Sequence, residues 1–303
     1  MASLAALLAI NIGIDPEISE IGGLLLTWHG VFTAVGIAAG VYLVAIVGRK
    51  HGFLEDDIYS GALLAIPCGI VGARGLFVVE RWGESGVENV MDIFRINEGG
   101  ISIYGALLGG LVGVILYCYF RKLPIRRGAD VAVLGGLLGM AIGRIGDLIN
   151  GEHFAKVSDL PWAVRYTNIH SPSTQHPLCG LDPVFRPTPD NFCAQHPAVG
   201  YEALGDLLIL GLLFLVLWYV KRDGLALFGG LLLYSLMRFG VSELRIDSRT
   251  IIAGLTTPQV TALFLIPPAL IGLVYCWLQG PSRQPSRPPP ATTPAPAARA
   301  AGR

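Results

Sequence analysis

Three arginines stand where arginine is costly. Arg74, Arg144 and Arg238 each lie in or at the end of a long apolar stretch, and an ionised side chain in a membrane-length segment marks a site by default. Arg144 has the richest surroundings. Gly143-Arg144-Ile145-Gly146-Asp147-Leu148-Ile149-Asn150-Gly151-Glu152 closes the glycine-rich apolar run 129–142 and brings an arginine, an aspartate, an asparagine and a glutamate together. Guanidinium groups match the oxygens of phosphate through paired hydrogen bonds, so three of them suggest a clamp for a phosphate-bearing ligand. Two plainer uses stand beside that one. Arg144 can snorkel to the head-group level, or pair with Asp147 three residues along the same helical face. Neither accounts for Arg74 and Arg238.

The elements that carry these residues are membrane spans. The chain is 52% apolar and 15% charged, well below the usual quarter for soluble domains. About 20 mainly apolar residues cross a bilayer, and such stretches fall near 24–48, 60–80, 99–120, 129–149, 201–220, 226–243 and 258–278. No stretch alternates as a barrel strand does. The expected fold is an all-α integral membrane protein, a seven-transmembrane helix bundle. Arg49 and Lys50, Arg121, Lys122, Arg126 and Arg127, Lys221 and Arg222, and Arg283 and Arg287 follow alternate spans. The positive-inside rule puts these loops in the cytoplasm, with the N-terminus outside and the C-terminus inside. Residues 1–278 then form one transmembrane domain, with an extracytoplasmic cap over 151–200. The Pro/Ala/Arg-rich tail 279–303 reads as disordered. The short apolar stretch Leu4 to Ile14 has no basic residue before it, unlike a cleaved signal peptide.

In this topology the polar groups gather at one depth. Trp28 and His29 open the first span, Arg74 lies in the outer half of the second, and Tyr104 is near the start of the third. Arg144 and Asp147 end the fourth, His196, Tyr201 and Glu202 precede or open the fifth, and Arg238 and Glu243 end the sixth. The inner-leaflet halves carry almost no ionisable group. A transporter site usually sits at the midplane, whereas a one-sided cluster suits a substrate resident in the outer leaflet, where a phospholipid head group is the natural anion. Zero net charge gives no pointer to nucleic acid. No cysteine or histidine spacing suggests a metal.

Gly105, Gly109 and Gly113, and Gly135, Gly139 and Gly143, form two small-residue ridges. The expectation is that the third and fourth spans pack along them, bringing Tyr104 towards Arg144. Cys68, Cys118 and Cys276 lie in apolar runs and read as inert. Cys179 and Cys193 either remain free or close a loop of about 14 residues, which would stabilise it by roughly 3 kcal/mol.

The motif at 143–152 resembles the signature of the bacterial prolipoprotein diacylglyceryl transferases. Further likeness is carried by Trp28-His29-Gly30, Gly72-Ala73-Arg74, residues 99–106 around Tyr104, Asp159-Leu160-Pro161-Trp162-Ala163-Val164, His196-Pro197 with Tyr201-Glu202, Arg238-Phe239 and Arg245-Ile246-Asp247-Ser248. These cover roughly residues 24 to 260 in order. The resemblance implies an inner-membrane enzyme that moves the diacylglyceryl group of phosphatidylglycerol onto the lipobox cysteine of a preprolipoprotein signal peptide, releasing glycerol 1-phosphate without metal or cofactor. On that reading Arg144 and Arg238 stabilise the departing phosphate, with Arg74 in support. Tyr104 positions or hydrogen-bonds, and Glu243 or Glu202 accepts a proton or holds an arginine. Asn150 bonds the glycerol hydroxyls or caps a loop. Gly143, His196, Tyr201 and Glu202 complete the lipid-binding set.

The chain also departs from the family pattern. Asp147 stands where asparagine is usual, His29 for tyrosine, Ala155 for glycine, Tyr104 where histidine is common, and Ser242 for a glutamate that appears one residue later as Glu243. The segment 167–195 is longer than expected. Two other functions fit parts of the pattern. One is a small-solute transporter. The other is a catalytically inactive relative that binds lipid or lipoprotein precursors.

Overall fold

The structure is a computed structural model that describes residues 9–21, 24–83, 89, 91, 102–175 and 194–281. Among these residues, seven helices are long and apolar enough to cross a membrane. They are α1 (Trp28–Lys50), α2 (Glu55–Glu80), α3 (Ile103–Phe120), α4 (Ile125–Asn150), α5 (Ala198–Tyr219), α6 (Leu225–Ser242) and α7 (Thr257–Leu278). The protein is a multi-pass bundle of the expected class. Cys179, Cys193 and the 282–303 part of the tail lie outside the described residues, as does most of the 167–195 segment.

Several boundaries move for local reasons. The first span begins at Trp28, not at 24. Thr27 caps α1 by accepting a hydrogen bond from the Gly30 N–H at 3.2 Å. The apolar run before it forms β3 (Leu24–Thr27), paired antiparallel with β2 (Glu17–Ile21). α2 begins at Glu55 because Glu55, Asp56 and Asp57 occupy its first turn, where negative charge is favoured. β1 (Ile10–Ile12) runs parallel to β4 (Val164–Tyr166), so the N-terminal arm is stitched into the 151–200 cap. β5 (Thr250–Ile252) and β6 (Leu255–Thr256) make a small ribbon ahead of α7.

The two glycine ridges do form close contacts, but not with each other. A Cβ at Gly105 or Gly109 would lie 2.3 Å from the Gly72 carbonyl oxygen or 2.2 Å from that of Cys68. The ridge on α3 therefore packs on α2. A Cβ at Gly36 or Gly40 would lie 2.5 Å from the carbonyl oxygens of Gly139 and Gly135 respectively, so the ridge on α4 packs on α1. The expected α3–α4 ridge pairing is corrected accordingly. Each ridge needed a facing stripe of small residues, and α2 and α1 supply those stripes at Gly72 and at Gly36 and Gly40.

The end of the bundle away from the arginine motif is held by its own polar locks. Asp130 of α4 accepts hydrogen bonds from the N–H groups of Gly224 (2.5 Å) and Leu227 (2.7 Å), which caps α6 from a neighbouring helix. Arg127 grips Asp223 with two nitrogens at 3.0 Å each. These contacts fix α6 against α4 before either helix reaches the site. Cys68, Cys118 and Cys276 are free thiols.

Candidate functional site

The site is built on the end of α4. Gly151 follows the helix in the left-handed region at φ 68°. A Cβ there would meet Ser171 Oγ at 2.3 Å and the Tyr166 ring at 2.7 Å, so conformation and space both demand glycine. The last carbonyls of α4 are taken up by the cap. Tyr166 Oη donates to the Leu148 oxygen at 2.8 Å, Ser171 Oγ to that of Asn150 at 3.1 Å, and Ser173 Oγ to that of Gly151 at 2.6 Å. Exposed helix-end acceptors become fixed anchors in this way, and Arg144 and Asp147 sit within two turns of them.

Glu202 on α5 is the hub. Its side chain is 1% exposed and meets three guanidinium groups. Arg144 Nη2 lies 2.7 Å from Oε2, an ion pair without hydrogen-bond geometry. Arg245 Nη1 donates to Oε1 at 3.1 Å. Arg238 Nη1 also donates to Oε1. Around this hub the charges close into a ring. Arg144 Nη1 donates to Asp147 Oδ2 at 2.8 Å, and Arg245 Nη2 donates to Asp247 Oδ2 at 2.6 Å. His153 Nδ1 lies 3.0 Å from Asp247 Oδ2 and 2.8 Å from Arg245 Nη2, while its Nε2 lies 3.7 Å from Asp147 Oδ2. His29 Nδ1 meets the other Asp147 oxygen.

Three arginines thus face three carboxylates in a nearly dry setting. Such groups are tolerated only when paired. Burial alone would push the Asp247 carboxyl up. The hydrogen bonds from His153 and Arg245 outweigh that and hold it well below the usual carboxylate range. Not every donor and acceptor is used, however. Arg238 Nε is buried without a partner, and so is Asn150 Oδ1. Among the described residues, no group of three or more histidine, cysteine, aspartate and glutamate side chains is placed to hold a metal ion.

The sequence-predicted residues fall into two sets. Arg144, Arg238 and Glu202 meet directly. Tyr104 joins at one remove: it is buried, its ring stands edge-on to Tyr234 at 6.1 Å, and its hydroxyl donates to the Pro258 carbonyl at a long 3.4 Å. Asn150 donates to Glu152 Oε1 at 2.7 Å. A Cβ at Gly143 would meet only Thr33 Oγ1, at 3.9 Å.

The others stand outside the ring. Arg74 is buried on α2 with its guanidinium 5.2 Å from the Phe77 ring centre. His196 and Tyr201 lie together at 6.3 Å between ring centres, and Tyr201 Oη accepts from Trp162 Nε1 at 2.8 Å. Glu243 is exposed at the end of α6, where it accepts from Gln259 Nε2 at 2.5 Å. Gln259 also closes the capping box of α7 with Thr256, so Glu243 ties α6 to α7. Of the two glutamates considered for holding an arginine, Glu202 has that place.

Arg245, Asp247, His153 and His29 complete the ring, although the residue pattern alone gave them no role. The available signal was the polar run Arg245–Ser248 directly after an apolar span, His153 directly after the 143–152 motif, and His29 at the opening of the first span. Ala155 shows one reason the loop is fixed: its N–H donates to Gln195 Oε1 at 2.8 Å, and Gln195 in turn reaches the His153 carbonyl and Ser173. Ser242 donates to the Arg238 carbonyl at 2.7 Å, within its own helix.

A helix bundle of membrane length, closed at one end by a buried ring of arginines and carboxylates, defines a multi-pass membrane protein with a polar site at that end. The family model described as prolipoprotein diacylglyceryl transferase matches residues 16–276, and the chain belongs to that family. Among curated proteins, the phosphatidylglycerol–prolipoprotein diacylglyceryl transferase of Thermosynechococcus vestitus is 31% identical over 86% of this chain and 92% of its own length. The protein of the same name from Clostridioides difficile is 29% identical over 84% of this chain and 92% of its own length. That of Acaryochloris marina is 30% identical over 87% and 91% respectively.

Proposed function

We propose that this chain transfers the diacylglyceryl group of phosphatidylglycerol to the lipobox cysteine thiol of preprolipoprotein signal peptides and releases glycerol 1-phosphate. The relatives' names give the lipid and the prolipoprotein as the substrates of those proteins. The observation in this chain that carries the reading is Arg238, held by Glu202 among three clustered guanidinium groups while its Nε–H is buried and unpartnered. A buried donor without an acceptor is costly, and a phosphate oxygen satisfies it.

The chemistry follows from that placement. The thiol sulfur attacks the glycerol carbon bonded to the phosphate oxygen, and negative charge grows on the departing phosphate. Arg144 and Arg238 face that charge, already oriented by Glu202 and Asp147, so little reorganisation is needed as it develops. Arg245 adds to the same field, and Arg74 supports the lipid from α2. Asn150 offers its unpartnered Oδ1 to a glycerol hydroxyl. Tyr104 orders Tyr234 and the wall of the site rather than moving a proton. Gly143, His196 and Tyr201 line the approach of the head group, and Glu243 acts through its tie to α7.

The orientation that fits this function puts the arginine end at the outer leaflet of the bacterial inner membrane, with the basic loops in the cytoplasm. Residues 1–278 act as one domain and 279–303 as a cytoplasmic tail. The test is an assay in proteoliposomes of phosphatidylglycerol with a lipobox peptide, following glycerol phosphate and peptide mass together. The native chain should give release with a diacylglyceryl mass gain, and R144A should give neither. No release from folded native chain would overturn the assignment.

A further inference from the structure

His29 opens α1 against the end of α4. The approach is close because position 146 is glycine: a Cβ there would lie 2.8 Å from His29 Cα and from the Trp28 carbonyl oxygen. Through this gap His29 Nδ1 reaches Asp147 Oδ1, while the second oxygen of the same carboxylate takes Arg144 Nη1 at 2.8 Å. A carboxylate at Nδ1 selects the tautomer with hydrogen there and leaves the lone pair on Nε2. Among the described residues Nε2 has no partner, and the side chain is 36% exposed at the rim of the site.

Of the other groups that handle protons, Asp206 and Tyr234 keep unpartnered oxygens but are buried at 1% and 4% exposure, and His196 stands apart with Tyr201; His153 and Tyr104 are committed elsewhere. His153 has Asp247 and Arg245 at one nitrogen and Asp147 near the other. Tyr104 is buried and turned towards Pro258. The charged groups facing His29 are Asp147 and Arg144 on α4 and Glu152 just beyond it. β3, which leads into α1, has no ionisable residue. α2, also packed on α1, carries Arg74 over Phe77, and Glu80 accepting from Ser102 at 3.2 Å.

We propose that His29, oriented by Asp147, is the general base that takes the proton from the lipobox thiol. The proposal rests on the transferase reading above. As Nε2 removes the thiol proton, the sulfur lone pair forms the S–C bond. The C–O bond to phosphate breaks, its electron pair stays on the phosphate oxygen, and the imidazolium later yields its proton to water at the exposed edge. Asp147 holds the base with one oxygen and the phosphate-binding Arg144 with the other, so a single carboxylate sets both reacting ends in register. A thiol with pKa near 8.5 is only a few per cent ionised at pH 7, which leaves a base real work near neutrality.

The test compares the native chain and H29Q in phosphatidylglycerol proteoliposomes across pH, with folding checked by thermal melting. One lipobox peptide carries cysteine, and a second carries selenocysteine, whose selenol ionises without help. The native rate should rise with pH as the imidazolium deprotonates. H29Q should be slower near neutrality by about 10²–10⁴-fold, the usual contribution of a general base. It should recover as pH approaches the thiol's own ionisation, and the selenocysteine peptide should restore most of the loss. A purely structural role would show none of this relief. H29Q with native rate and profile, or a loss that neither high pH nor the selenol relieves, overturns the assignment. Absence of release from the native chain would instead strike the transferase reading itself.

Discussion

Arg144→Lys separates geometry from charge. In the native site the two terminal nitrogens of Arg144 serve different carboxylates, Asp147 at 2.8 Å on its own helix and Glu202 at 2.7 Å on α5. A lysine ammonium is a single point and keeps only one of them. The contact to Asp147 is the nearer along the chain, so Glu202 is the one abandoned. Close charge pairs couple by about 1.5–7 kcal/mol, and because Glu202 keeps Arg238 and Arg245 the loss falls at the lower end, about 1.5–3 kcal/mol. If that loss is felt in the transition state, kcat/KM falls about 10- to 150-fold, at about 1.4 kcal/mol per decade. Glycerol phosphate release in proteoliposomes, with the lipid fraction varied, gives kcat and KM separately. On the proposed role of Arg144 the loss should appear mainly in kcat, since an arginine pre-set for a departing phosphate matters most when that charge develops. An R144K chain within about threefold of native would show that charge alone suffices and would refute the two-carboxylate argument.

Three further outcomes follow from the same geometry. E202Q leaves three guanidinium groups short of their shared anion; breaking a buried pair costs about 3–5 kcal/mol, so its detergent-solubilised chain should melt well below native, and equal melting would contradict Glu202 as the hub. G36V forces side-chain atoms into the Gly139 carbonyl, where even a Cβ would stand at 2.5 Å, and should destabilise the α1–α4 contact by about 1–3 kcal/mol, read as earlier thermal aggregation. Asp247 has a folded pKa below its ordinary 3.8, so its stabilising contribution is complete above that value and is lost as pH falls through the folded one. Native chain should therefore lose stability faster than D247N as the pH is lowered through the carboxylate range, and parallel curves would count against the His153–Asp247–Arg245 contact.

Much of this protein could be read along the chain. Apolarity over 20 residues is a local property, so the bilayer-crossing helices were visible without any knowledge of how they pack. Arg144 and Arg238 stood out for the same reason, because a charge in such a segment needs a purpose. The spacing of Arg144 and Asp147 already allowed their ion pair. Boundaries shifted where a cap or an acidic first turn decided them, at Thr27 and at Glu55–Asp57.

What the chain could not give was rotation and partnership. Glycines at a spacing of four announce a close approach but do not name the partner: those of α3 met α2 and those of α4 met α1. Glu202 and Glu243 look alike in sequence, each within a few residues of a span end. Only the turn of α5 against α4 and α6 aims Glu202 at three arginines, while the end of α6 sends Glu243 to Gln259. His29 and Asp147 lie 118 residues apart, and no local rule couples them. They meet because Gly146 lets two backbones approach. Local composition therefore determined which segments enter the membrane and which residues are costly there, and tertiary packing alone decided which charges neutralise one another and which nitrogens remain free to act.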